Sequence, residues 1–135
     1  MVRWARYVFA VLAALFLIGV VVQTFYAGLG LFAGAENMQL HVDLGWILHL
    51  APILVLIAAA LGRVGRATML WTAALVVTVF IQPLLPGLSE SVPALAALHP
   101  VNALLIFWIS VVVVRRALAL ARSTPADASA HPATA

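Results

Sequence analysis

The sequence contains no cysteine and no lysine, and only 8% of its 135 residues are charged. Without cysteine, the chain has no disulfides, no thiolate metal sites, no cysteine nucleophile and no haem attached through Cys-x-x-Cys-His. Without lysine, Schiff-base chemistry is excluded as well. Soluble domains carry about 25% charged residues, so this chain has too few charges to cover a water-facing surface. The composition therefore predicts an integral membrane protein.

The rest of the sequence is mostly apolar, with a hydrophobic fraction of 66%. A helix needs roughly 20 apolar residues to cross a bilayer, and four stretches qualify, at about 7–29, 40–61, 68–85 and 101–121. Backbone groups in lipid must be bonded within each segment, and no alternating barrel pattern is present. We therefore expect an all-α, up-down-up-down four-helix bundle over residues 1–122. Residues 123–135, rich in Ser, Thr, Pro and Ala, should form a disordered cytoplasmic tail.

The placement of charge predicts the orientation of this bundle. Arginines flank the predicted spans on one side of the up-down path, at Arg3, Arg6, Arg63, Arg66, Arg115, Arg116 and Arg122. The acidic residues Glu36, Asp43 and Glu90 fall on the other side. Basic residues in short loops mark the cytoplasmic face, so we expect both termini to be cytoplasmic in a bacterial plasma membrane. The excess of positive charge then reflects membrane topology and does not indicate nucleic-acid binding.

Two helix–loop–helix stretches of the sequence read as copies of each other. Each contains a glutamine, Gln23 or Gln82, and then a histidine, His41 or His99, that leads into a long apolar run. Both units consist of an outgoing and a returning helix, so the repeat is parallel and predicts a pseudo-two-fold axis along the membrane normal. Sequential helices are neighbours in a bundle with short loops. Spans two and four should therefore lie diagonally, with their histidines facing each other.

Two imidazoles facing each other across an apolar core suit a bis-histidine haem b. The macrocycle requires an apolar slot, and each axial position of the iron takes a neutral imidazole nitrogen. His41 and His99 are the candidate ligands, and Gln23, Gln82 and Asn102 are candidates for hydrogen bonds to a histidine or a propionate. The alternative is a structural or accessory membrane protein whose polar residues only hold helices together. Such intramembrane hydrogen bonds contribute about 0.6 kcal/mol on average.

His49 is a third histidine inside a predicted span. It lies about 12 Å from His41 along the helix axis and roughly 80° around it, so the two cannot bind one ion. Pro52 should bend the helix beside His49. Phe107 stands at the matching position of the second repeat. We therefore prefer His41 as the ligand from span two and interpret His49 as a buried hydrogen-bonding residue, with ligation by His49 as the alternative.

Other chemistry finds little support in the sequence. No acidic residue lies deep in a predicted span, as a proton-coupled exporter would require. No phosphate-binding glycine loop is present, and no set of catalytic side chains can be assembled with a defined geometry. A small-molecule permease would need homo-oligomerisation to build a pathway. The sequence therefore indicates no enzyme class.

Polar and small residues recur at fixed positions along the chain, at Gln23, Gly28, Gly30, His41, Gly45, His49, Gln82, His99 and Asn102. In this combination the chain resembles an uncharacterised bacterial family of small four-helix membrane proteins. The resemblance extends to Arg116 and implies a topology without a known activity.

The glutamine and glycine in one helix, with a histidine opening the next, are also similar to one half of the haem A synthase family. In that family, histidines on the second and fourth helices of each half face a haem on the outer side. The matching positions here are His41 and His99. The chain has one such half, lacks the loop cysteines and has Met38 in place of the family's glutamate. The resemblance therefore implies haem binding for electron transfer or redox sensing, and not haem A synthesis.

Overall fold

The computed structural model describes residues 1–122, and over this part of the chain it contains helices and no strands. The predicted tail, residues 123–135, lies outside the described residues. Four long helices are joined by short connections, and a one-turn helix, α4, precedes the last of them. Their bounds are α1 Val2–Phe32, α2 Met38–Leu61, α3 Arg66–Ile81, α4 Pro93–Ala96 and α5 Leu98–Arg122.

Four segments built on these helices are long and apolar enough to cross a membrane. They comprise Val2–Phe32, Ala35–Leu61, Arg66–Leu88 and Pro93–Arg122. The expectation of an all-helical protein with four apolar helices is confirmed.

Helix α3 is shorter than the predicted span at 68–85. It ends at Ile81, and the chain continues as two short 3-10 turns, Gln82–Leu84 and Pro86–Leu88. Pro83 and Pro86 cannot donate a backbone hydrogen bond, so they interrupt the regular α-helical ladder. The segment that follows Ile81 is therefore made of turns, and these turns bring Gln82 and Pro83 to the interior side of the bundle.

The four long helices occupy the corners of a square when the bundle is viewed along its axis. Helix α1 contacts α2 and α5, and α3 contacts the same two helices, so α2 and α5 lie across one diagonal. The α2–α3 connection is tight because Gly65 takes a φ of 81°, a region that glycine enters without steric cost. Arg6 of α1 donates from Nε to the carbonyl of Gly62 at 3.1 Å, which places the start of α1 beside this connection.

The tightly packed core fills the half of the bundle nearest the α2–α3 connection. Phe9, Val55, Leu75 and Val113 are almost completely buried there. The buried hydroxyl of Thr72 donates to the carbonyl of Thr68 at 2.9 Å, and Ser110 does the same to Ile106 at 2.7 Å. These hydroxyls are satisfied within their own helices, as expected for residues without a ligand. This half of the bundle is therefore closely packed, and the cavity described below lies in the other half.

Candidate functional site

The other half of the bundle contains a cavity of about 880 Å³ between the four long helices, and this cavity is partly open to the surface. Ligand pockets in proteins range over about 300–1,000 Å³ and are mostly apolar with a few polar groups. This cavity has that composition. Its polar lining is Gln23, Thr24, His41, His49, Gln82 and His99.

Gln23 and His41 form the first of two Gln–His clasps, each a glutamine and a histidine that bond to one another's main chain. The Gln23 amide donates from Nε2 to the carbonyl of His41 at 2.6 Å. The Nδ1 atom of His41 lies 3.0 Å from the carbonyl of Gln23. A carbonyl only accepts, so Nδ1 carries the hydrogen and Nε2 keeps a free lone pair. The first clasp thus ties α1 to α2 and fixes the histidine tautomer.

Gln82 and His99 form the second clasp in the same way. The Gln82 amide donates to the carbonyl of His99 at 3.0 Å, and Nδ1 of His99 donates to the carbonyl of Gln82 at 3.1 Å. The Gln82 amide also lies 3.3 Å from Nε2 of His99. Ligation through Nε2 therefore requires that Gln82 release this contact and keep its main-chain bond.

The two clasps differ in how the glutamine oxygen is satisfied. Asn102 donates to Oε1 of Gln82 at 2.6 Å and to the carbonyl of Thr78 at 2.9 Å. Leu44 stands at the matching position after His41, and Oε1 of Gln23 is buried without a partner. Asn102 therefore supports the second clasp and does not line the cavity.

The rings of His41 and His99 lie close to each other in the lining of the cavity. Their centroids are 6.1 Å apart, and the ring planes are inclined by 69°, so the rings meet edge-on. A metal lies about 2 Å from an imidazole nitrogen, so a separation of roughly 6 Å between two ring centroids is one that two ligands of a single metal can have. Residues 1–122 contain no group of three or more His, Cys, Asp or Glu side chains that could hold a metal ion.

His49 lies apart from this pair. Its ring packs on Phe80 with centroids 4.2 Å apart and meets Trp46 edge-on at 5.9 Å. Its Nδ1 atom is buried, and no hydrogen bond joins His49 to any of the described residues. The interpretation of His49 as a buried hydrogen-bonding residue therefore finds no partner among the described residues. The contacts that the structure shows for the ring are those with Trp46 and Phe80.

Gly45 keeps α1 and α2 close at the first clasp. A Cβ atom on this residue would lie 2.9 Å from Nε2 of Gln23, which is closer than such atoms approach. Glycine at this position therefore leaves room for the Gln23 amide beside the carbonyl of His41, and a larger residue would displace the end of the Gln23 side chain. Sequence reasoning singled out Gly45 as a conspicuous small residue but had no means of identifying the atom it accommodates.

Comparison with known proteins matches part of the chain to a protein family, and it assigns no activity. Residues 23–88 match DUF6220, a family of unknown function. No curated protein and no solved structure matches the chain. The resemblance to haem A synthases therefore stays a prediction. The matched stretch contains the first clasp, His49 and Gln82, and it ends before His99, so the chain is similar to this family from the last third of α1 through α2 and α3 to the turns that follow α3.

Proposed function

We propose that this chain is a haem-b-binding membrane protein with His41 and His99 as the two axial ligands. The observation that carries the proposal is the 6.1 Å separation of the two imidazole rings beside a cavity of about 880 Å³. We place the site near the outer face of a bacterial plasma membrane, with both termini cytoplasmic. This placement rests on the arginines at the opposite end of the bundle.

The clasps support this role because they orient the ligands. Metal-binding histidines commonly donate their second ring N–H to a carbonyl or carboxylate, which fixes the tautomer and the direction of the ligating nitrogen. His41 and His99 both make this bond through Nδ1. The matching bonds are also consistent with a parallel internal repeat, in which each hairpin supplies one ligand.

When bound, haem supplies one-electron redox chemistry. The chain holds the two imidazoles in place, surrounds the ring with apolar side chains and excludes water from the inner side through its packed core. Such a protein transfers electrons or senses redox state near the outer face. Its partner is a membrane redox protein or a second copy of this chain.

The alternative function is structural, and a specific observation favours it. Both glutamine amides donate to main-chain carbonyls, so the clasps join α1 to α2, and the turn after α3 to α5, without any ligand. A protein of this kind would be an accessory subunit that keeps its fold when haem is withheld.

Absorption spectroscopy separates these two functions. We expect the protein purified in mild detergent from haem-supplied cells to show a Soret band and a reduced α band. His41→Ala and His99→Ala should each lose or shift both bands, because each removes one axial ligand. His49→Ala is the matched control, since it removes an imidazole from the same helix as His41 and should leave the spectrum unchanged.

Folding must be scored in the same preparations. His41→Gln and His99→Gln preserve a polar side chain and should elute as monodisperse, helical protein without the wild-type spectrum. A colourless but folded wild-type protein contradicts haem binding and favours the structural function. Loss of haem only from His49→Ala would show that the ligand from α2 is wrongly assigned.

A further inference from the structure

His49 lies in the wall between two cavities. One is the central cavity of the clasps, and the other is a crevice of about 720 Å³ between α2 and α3. Trp46, His49 and Pro83 line both. The crevice is on the outside of the bundle, because Trp46 and Val77 on its two sides are 62% and 58% exposed. In a membrane this surface faces lipid, so the crevice opens laterally into the bilayer.

The crevice has one imidazole, that of His49, in an otherwise mostly apolar lining. No hydrogen bond joins this ring to any of the described residues, and its Nδ1 atom is buried without a partner. Ile53, Val76, Val77 and Ile81 supply aliphatic walls around the crevice. An unpaired polar group in an apolar site is costly, and its presence calls for a ligand or a water molecule. A fatty acyl chain could fill the crevice and would leave the imidazole unpaired.

The rings around His49 indicate the shape of a better occupant. Phe80 lies against one side of the imidazole, and Trp46 meets it edge-on. Aromatic faces pack well against flat conjugated rings. A ligand that satisfies the site therefore combines a flat ring, an oxygen that can bond an imidazole and enough apolar surface to enter from lipid.

We propose that the α2–α3 crevice is a binding site for a membrane-dissolved quinone-type ring, with His49 as the hydrogen-bond donor to one ring carbonyl. Trp46 and Phe80 contact the ring, and Ile53 and Val77 contact its apolar tail. This site adjoins the cavity between His41 and His99 and shares Trp46, His49 and Pro83 with it, and the proposal does not depend on haem binding there.

Tryptophan fluorescence in lipid nanodiscs tests the proposal. The probe is a dimethoxybenzoquinone with a decyl tail, titrated as a mole fraction of lipid because it partitions into the bilayer. Quinones quench tryptophan at contact, so we expect saturable quenching that is mostly lost in Trp46→Phe. Trp4 lies at the start of α1, and Trp71 and Trp108 pack together at 5.2 Å between α3 and α5. These three tryptophans should contribute only a non-saturating background.

Variants at His49 report on the hydrogen bond. His49→Ala should weaken binding about tenfold, as expected for one hydrogen bond lost in an apolar site, and His49→Gln should restore part of the affinity. Leu50→Ala is the matched control, because Leu50 is on the same helix, is exposed and lines neither cavity. Its affinity should equal that of the wild type.

Three results would overturn the proposal. They are quenching that never saturates, quenching that survives Trp46→Phe unchanged, and an affinity that is the same for His49→Ala and the wild type. The Soret band, measured on the same His49→Ala protein, keeps the two proposals apart. A His49→Ala protein that keeps the wild-type Soret band and binds the quinone more weakly supports this site. That result stands whether or not His41 and His99 are later shown to be ligands.

Discussion

Asn102 and Leu44 stand three residues after His99 and His41, and they make the two clasps unequal. Asn102 satisfies Oε1 of Gln82, whereas Oε1 of Gln23 is buried without a partner. The first glutamine therefore gives the fold one hydrogen bond while carrying the cost of an unpaired oxygen. The second glutamine belongs to a network in which each amide has a partner.

This inequality predicts different costs for the same substitution. Gln82→Leu should lower the free energy of unfolding by about 1 kcal/mol more than Gln23→Leu, because it also removes the acceptor of Asn102. The measurement is denaturation in mixed detergent micelles, followed by circular dichroism. A double-mutant cycle with Asn102→Leu should show coupling to Gln82 and none to Gln23. Equal costs for the two glutamines would contradict the assigned network.

At the scale of elements, α1 and α2 approach closely at several glycines, and Gly45 is the one at the first clasp. Gly45 faces the Gln23 amide, whereas a Cβ atom added to Gly28 of α1 would meet nothing within 4 Å. The two glycines thus form a matched pair, one in a tight contact and one in open space.

We expect Gly45→Ala to be less favourable than Gly28→Ala by about 1 kcal/mol, because both gain helix propensity but the methyl group at residue 45 displaces the end of Gln23 and weakens its bond to His41. Gly28→Ala should be neutral or stabilising by about 0.5–1 kcal/mol, since alanine favours a helix. Thermal denaturation of both variants in the same detergent measures the difference. If haem binds, Gly45→Ala should also shift the Soret band, whereas Gly28→Ala should not. A Gly45→Ala protein as stable as Gly28→Ala would rule out the close contact.

The elements themselves could be predicted from hydropathy, because lipid leaves helices as the solution for long apolar segments without barrel alternation. The predicted span at 68–85 lies within the apolar segment Arg66–Leu88, but a hydropathy pattern does not distinguish an α-helix from 3-10 turns that remain apolar. Within the site, the sequence indicated that His41 and His99 lie near each other. It could not indicate that each glutamine bonds a main-chain carbonyl, because that depends on side-chain rotamers. The isolation of His49 and the α2–α3 crevice depend on lateral packing, which a single sequence does not encode in any local pattern.

At the scale of the whole molecule, charge is separated along the bundle. The arginines are at or beyond the ends of α1, α2, α3 and α5 near the α2–α3 connection, while Glu36, Asp43 and Glu90 are exposed in or near the other connections. The chain has no cysteine, so a single introduced thiol reports on one position without background.

This separation predicts the labelling of two cysteine variants in intact cells. Ser89→Cys should react with a membrane-impermeant maleimide added outside, and Ala67→Cys should react only after the membrane is permeabilised. Both positions are exposed and close to the ends of helices. The reverse labelling pattern would show that the topology is the opposite of the one proposed and that the two histidines lie near the cytoplasmic side.

The central claim is that His41 and His99 coordinate one iron from opposite sides. Low-temperature electron paramagnetic resonance of the oxidised protein tests it most directly, because two imidazole ligands give a low-spin ferric haem. The account predicts a low-spin signal in the wild type that becomes high-spin in both His41→Ala and His99→Ala while each protein stays folded. A folded wild type without a haem signal, or a low-spin signal that persists in either variant, would contradict it.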